Sequence, residues 1–235
     1  YEIGSGSTIM SYQGSCGAQN VPGSGTADHY FHTHSIQRAL DHLNSEACQT
    51  TSNSGNTPPT ITANNCQGPN TIPRSTAFRL TGSGSDADGD EIFYLWEQYD
   101  EDGGGTPTQG LIGAAAASNS NAPLFRSYPP STSPSRTFPN MSLVVDNNYT
   151  SDFEPLPSVA RTLNFRFIGR DWSTDGGGIA WDDLQITVAN GGPFALTAPN
   201  GGQSLSAGAS TAVTWNIGGT GSYCSAVNIK LSVDG

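Results

Sequence analysis

Clusters of basic residues are missing from this chain, and so is any long apolar run. Only 9 Lys and Arg stand against 20 Asp and Glu, a formal net charge of −11. A surface that neutralises phosphates needs clustered Lys and Arg, so the composition argues against a nucleic-acid partner. No stretch approaches the ~20 apolar residues that span a bilayer, and the opening at Tyr1 carries no basic-then-apolar export signal. The expectation is a chain without a membrane span, with its export signal upstream. Cysteine is sparse: Cys16, Cys48, Cys66 and Cys224 are too widely spaced for a zinc ribbon or a redox CxxC pair. Disulfides are the expected use, with three pairings open, and they imply an oxidising, extracellular compartment. Among the pairings, the local one between Cys16 and Cys48 is favoured.

What the chain has in quantity is glycine and proline, 29 and 15 among 235 residues, with abundant Ser, Thr and Asn. Frequent tight turns favour β-sandwich modules over helix bundles. The length suits one large domain or two small ones. Residues 1–50 hold one helical pattern, in which Ser35 is the expected N-cap and Ile36, Ala39, Leu40 and Leu43 recur at helical spacing. The polar run from Gln49 to Pro59 reads as a linker, because it has nothing to bury and its prolines stop a helix.

Residues 56–190 change to short apolar runs between turn residues. Strands are expected at Phe78–Leu80, Ile92–Trp96, Met141–Val145, Leu163–Ile168 and Leu184–Val188. Such a set predicts an immunoglobulin-like sandwich. The interval from Asp100 to Pro139 shows no clear strand and reads as an extended surface insertion at about 100–140. Residues 193–235 offer runs at Pro193–Pro199, Ala212–Trp215 and Val227–Leu231, the opening of a second sandwich that these strands alone cannot close.

The acids cluster at Ser85-Asp-Ala-Asp-Gly-Asp-Glu91. Carboxylates alternating with small residues can converge on one cation, and Gly89 permits the bend. Calcium, which takes six to eight hard oxygens at flexible geometry, suits such a turn. EF-hand spacing is absent, since no Glu stands at the twelfth loop position. The predicted ligands are Asp86, Asp88 and Asp90. Asp171 and Asp175 are the expected partners from the segment Arg170–Gly178, with Asp182 and Asp183 nearby. The alternative is a solvated acidic turn. Glu97 and Asp100 do not suggest a glycosidase pair, and Trp96, Trp172, Trp181 and Trp215 read as core or edge aromatics.

The segment Ser5-Gly-Ser-Thr-Ile-Met-Ser-Tyr12, with its lead-in Tyr1-Glu-Ile-Gly4, resembles the Met-turn of metzincin zinc peptidases, in particular bacterial secreted reprolysin-like enzymes. The resemblance runs on through His29-Tyr-Phe-His-Thr-His34, Tyr94–Asp100 and Gly191–Thr197, and Asp86–Asp90 resembles the DxDGD turn of PKD-like and cadherin-like domains. It implies a mainly β fold: immunoglobulin-like sandwich modules preceded by a short, partly helical remnant of a metzincin catalytic domain. It implies a secreted zinc metalloendopeptidase as the parent, acting on a protein or peptide substrate. Met10 would be the apolar floor of the zinc site and Tyr12 a zinc or oxyanion donor, although reprolysins proper do not use this tyrosine. HExxH, the source of zinc ligands and general base, occurs nowhere in the chain. Zinc is thus expected in the parent only, calcium in this chain, and the piece alone should be inactive. His29, His32 and His34 are better explained by packing or capping than as substitute ligands. The rival reading is a non-catalytic adhesion or assembly module with cell-surface or matrix contacts.

Overall fold

A computed structural model describes residues 1–23, 27–48, 50–64, 70–100, 110–174, 176–222 and 229. The fold is mainly β. After a 3-10 turn (Gly17–Gln19) and helix α1 (Thr33–Ser45) come β1 (Thr60–Asn64), β2 (Thr71–Pro73), β3 (Phe78–Ser85), β4 (Ile92–Gln98), α2 (Gly113–Ala117), β5 (Ser135–Phe138), α3 (Met141–Val145), β6 (Arg161–Asp171), β7 (Ile179–Ala189), β8 (Ala195–Ala198) and β9 (Thr214–Asn216). Three strands form one sheet in the order β1-β3-β5, and four form another in the order β2-β7-β6-β4. All pairs in these sheets are antiparallel except β2 with β7. The hairpin β8-β9 stands apart. Among the described residues no helix is long and apolar enough to cross a membrane.

Alternation places the core. Leu80 and Phe138 from the smaller sheet meet Trp96, Phe165, Phe167 and Ile186 from the larger one in a single apolar cluster. The indole N–H of buried Trp96 is satisfied by the Pro134 carbonyl at 3.1 Å. Room for Phe167 comes from Gly82 on the facing β3, where a Cβ would fall inside the phenyl ring. Gly82→Ala is therefore an overpacking change, expected to destabilise by about 1–3 kcal/mol, read as a lower urea midpoint. An unchanged midpoint would show that the two sheets are less tightly apposed.

The opposite faces of β4 and β6 are buried too. Leu95 and Ile168 point away from the main core into a second cluster with Tyr30, and Glu97 lies across from Arg166 in register. The segment before α1 and the first turn of α1 cover this face. Burial on both sides explains why Ile92–Trp96 and Leu163–Ile168 are nearly unbroken apolar runs rather than alternating ones. Ile3, fully buried, belongs to the main core. Ile3 and Tyr30, from the segment ahead of α1, thus pack against the two faces of the sheets.

Several expectations need correction. Met141–Val145, expected as a strand, is the helical turn α3. Asn140 caps it by accepting from the Ser142 N–H at 3.1 Å, and none of its residues is buried, so local capping wins over strand propensity. The interval from Asp100 to Pro139 is no surface insertion over its described part. Ala116, Ala122, Leu124, Phe125 and Phe138 are all core residues, and the Gln98 side chain pins the irregular backbone by accepting from the N–H groups of Leu124 and Phe125 at 2.7 and 3.1 Å. Helix α1 begins before Ser35, and its N-cap is His32, whose side chain accepts from the His34 N–H. The run Val227–Leu231 lies outside the described residues apart from Ile229.

Candidate metal centre

The turn from β3 into β4 brings the three aspartates together. One carboxylate oxygen from each of Asp86, Asp88 and Asp90 lies within 4.8 Å of the other two. Asp86 organises the turn, its Oδ1 accepting from the N–H groups of Asp88 and Asp90 at 2.9 and 3.1 Å. Gly89, at φ +84°, makes the bend that an L side chain rarely adopts. Asp86 Oδ2 is enclosed and has no hydrogen-bond partner.

Two further segments close on this turn. Before β1, the Thr57 N–H donates to Asp88 Oδ2 at 2.6 Å, while Asn56 donates its Nδ2 to Asp171 Oδ2 at 2.9 Å. Asp171, the buried last residue of β6, also accepts from the Gly178 N–H through Oδ1. Asn56 Oδ1 is the second enclosed oxygen without a partner. None of the ion pairs found among the described residues involves Asp86, Asp88, Asp90 or Asp171.

These facts fit a hard cation. Two oxygens on one calcium, each at ~2.3–2.6 Å, sit within about 5 Å of one another, which the aspartate spacing allows. Enclosed carboxylate and amide oxygens without a donor are costly unless something positive meets them. Asp86, Asp88, Asp90 and Asn56 would hold the ion, with Asp171 bound to Asn56 behind them. Asp175 lies outside the described residues. Asp182 and Asp183 go elsewhere: Asp182 accepts from the Ala63 N–H at 2.9 Å, and Asp183 pairs with Arg166 at 2.6 Å. Asn56 was missed in the sequence because it stands in a polar run with no periodicity. Its position just ahead of β1 was the only available cue.

Among the described residues, nothing comparable surrounds Thr8–Tyr12, the segment that resembles a Met-turn. The Glu2 carboxylate ties its loop by accepting from the Ser7 N–H and the Thr8 hydroxyl at 2.9 and 2.8 Å. Met10 and Tyr12 themselves are 67% and 71% exposed in this chain. They border a cleft of about 450 Å³ with Cys16 and His34. Among the described residues the aspartate trio is the sole group of three or more His, Cys, Asp or Glu able to share a metal. Two of the histidines serve packing: His32 is buried beside Glu97 at 3.9 Å, and His34 stacks on Tyr1 with ring centres 3.4 Å apart. The described residues do not fit a zinc site.

Cys16 and Cys48 carry free thiols, so the bridge expected between them is not formed. Cys16 shares the cleft with Ser35 near the start of α1, and Cys48 follows the helix end. The 13 residues of α1, rising ~1.5 Å each, make a helix roughly 20 Å long between the cleft that Cys16 borders and Cys48, whereas a disulfide needs Cα atoms within ~7 Å.

Glu97 is a second polar centre, and it is fully buried. Its Oε2 accepts from the Thr33 N–H at the start of α1 at 2.6 Å, and its Oε1 accepts from the Ser127 hydroxyl. Burial pushes its pKa up to about 7, against the lowering effect of those hydrogen bonds and of Arg170 and Arg136. Burial pushes His32 the other way, down to about 4. Asp100 occupies a separate network, hydrogen-bonded by Asn164 at 2.7 Å and beside Arg161 at 3.4 Å. The two carboxyls therefore do not face one cleft.

Comparison with protein-family models, with curated proteins and with solved structures returns no match to this chain.

Proposed function

We propose that this chain is a calcium-braced, immunoglobulin-like β module of a secreted zinc metalloendopeptidase, and that by itself it binds and braces rather than cuts. The observation that carries the calcium reading is the pair of enclosed, partnerless oxygens, Asp86 Oδ2 and Asn56 Oδ1, beside three aspartates within 4.8 Å of one another. Three elements converge there: the β3–β4 turn, the segment before β1 and the end of β6. An ion held among them would tie the leading segment to the sheets. The arrangement of three strands over four, with one shared core, supports the immunoglobulin-like reading.

The peptidase parent rests on the resemblance of Thr8–Tyr12 and its flanks to a Met-turn. The absence of HExxH from the sequence, and of a fitting zinc ligand set among the described residues, supports inactivity of this chain alone. In the parent, peptide substrate would be handled by the zinc-bearing part. The exposed Met10 and Tyr12 favour no catalytic role for this piece in isolation. Acidic composition without basic clusters supports an extracellular setting and no nucleic-acid partner.

Calorimetric titration of chelator-treated chain is expected to show one calcium bound per chain, with binding lost in Asp88→Ala. With zinc added, the chain should leave a peptide library intact. Absence of calcium heat would remove the brace, and zinc-dependent hydrolysis would overturn the inactivity.

A further inference from the structure

Asp171 is sealed at the end of β6, 5% exposed, and stands in none of the ion pairs found among the described residues. A buried carboxylate without a countercharge is costly unless hydrogen bonds meet it. Both of its oxygens accept from neutral donors: Oδ1 from the Gly178 N–H and Oδ2 from Asn56 Nδ2 at 2.9 Å. The Asp171 N–H in turn donates to the Gly178 carbonyl at 3.2 Å. Two reciprocal bonds to one residue thus fix the carboxylate and leave Oδ2 facing Asn56. Gly178 also makes the room: a Cβ there would fall 2.5 Å from Asp171 Oδ2, 2.7 Å from Pro58 Cα and 3.1 Å from Asn56 Nδ2. No side chain fits at this crossing.

We propose that Asp171, expected from the sequence as a calcium ligand, does not touch the ion and is instead a positioning residue that turns the Asn56 amide oxygen toward it. The inference rests on the calcium reading of the aspartate turn. An amide offers an acceptor, Oδ1, and two donors on Nδ2, and only its hydrogen-bond partners decide its sense. A carboxylate only accepts. With Asp171 Oδ2 on one side, Nδ2 must face it, because the reverse sense would set two oxygens against each other. Oδ1 is then left on the other side, where it is enclosed and has no donor.

The Thr57 N–H, one peptide bond on, reaches Asp88 Oδ2 at 2.6 Å. Residue 56 therefore lies alongside the aspartate turn, and an oxygen without a donor suits a cation there. Direct ligation by Asp171 fits less well, since the carboxylates close enough to share a metal are Asp86, Asp88 and Asp90, without Asp171. Partners that orient a ligand from behind change metal affinity by about 10–100-fold when they are replaced.

The test is a double-mutant cycle read by calorimetric titration of calcium into the chelator-treated full chain. Asp171→Asn keeps its Oδ1 for the Gly178 N–H and turns its own Nδ2 on Asn56. That reverses the Asn56 amide and should weaken calcium about tenfold or more. Asn56→Ala should weaken it about tenfold, and the double variant no further, because Asp171 acts only through Asn56. Exchanging the two residues, Asn56→Asp with Asp171→Asn, again sets a donor against an acceptor and should recover at least the affinity of the unmodified chain. In the unmodified chain, calcium should shift the side-chain NH2 resonances of Asn56, identified as the pair missing from Asn56→Ala. Unchanged affinity in Asp171→Asn would overturn the proposal. So would losses that add in the double variant, which would make Asp171 a ligand in its own right, an exchange that recovers nothing, or unmoved Asn56 resonances. Those outcomes leave the calcium reading standing, whereas an unmodified chain that binds no calcium sinks both.

Discussion

Removing calcium with a chelator is expected to lower the melting temperature of this chain by ~5–10 °C. Calcium at a hundredfold excess over its dissociation constant stabilises the folded state by ~2.7 kcal/mol, and each kcal/mol moves the midpoint of a chain this long by ~2–4 °C. The source of the effect is local. Asp86, Asp88 and Asp90 bring like charges within 4.8 Å, and a bound cation would convert their repulsion into attraction. Asp86→Asn keeps an acceptor for the N–H groups of Asp88 and Asp90 but removes a charge. In the variant the calcium-dependent gain should vanish, while in chelator it should melt no lower than the unmodified chain. Asn56→Ala removes the proposed uncharged ligand and should weaken calcium by about tenfold, given what one lost oxygen donor does to a charged centre. A melting temperature indifferent to chelator would make the site untenable as a brace.

Replacing Glu97 by alanine should cost about 3 kcal/mol, since it strands the Thr33 N–H and the Ser127 hydroxyl beneath α1. The pH dependence of the same site is more diagnostic. Glu97 is raised from 4.5 to about 7, so the stability it contributes is fully present below pH ~4.5 and is lost as pH rises through ~7. His32 is lowered from 6.5 to about 4, so its contribution is present above pH ~6.5 and is lost as pH falls through ~4. Between about pH 4.5 and 6.5 the folded state holds its proton on Glu97 and the unfolded state holds it on His32. The two slopes, each ~1.4 kcal/mol per pH unit, therefore cancel. Each single variant should expose the other group. In Glu97→Gln stability should rise with pH across this window, and in His32→Gln it should fall. Urea midpoints measured from pH 4 to 7.5 would show this, and slopes of the same sign in both variants would refute the paired account.

The legible parts of the fold were those that depend on short-range pattern. β4, β6 and β7 stood out because β-branched and aromatic residues are concentrated there. β5, Ser135–Phe138, did not, since Ser-Arg-Thr-Phe carries little apolar signal and earns its place by register against β3. Leu124 and Phe125 were lost inside an apparent loop because what fixes them is one distant side chain, Gln98. In the candidate metal centre, Asp86, Asp88 and Asp90 could be read from a five-residue span. Asn56 is 115 positions from its hydrogen-bond partner Asp171, a separation that no local pattern encodes. The isolated polar letter of Glu97 after an apolar run gave no hint that it would meet the start of a helix 64 positions away.

The sequence by itself determined the mainly β character, the acidic surface, the bend at Gly89 that gathers three carboxylates, and the lack of a zinc-binding helix motif. Each is a matter of composition or of neighbours along the chain. Only the tertiary structure decided that Ile3 and Tyr30 pack against the sheets, that Asn56 meets Asp171 while Thr57 meets Asp88, that Glu97 is sealed under α1 and that Trp172 is left in solvent. These depend on which faces of β4 and β6 are covered and by what, and long-range packing and burial set that outcome.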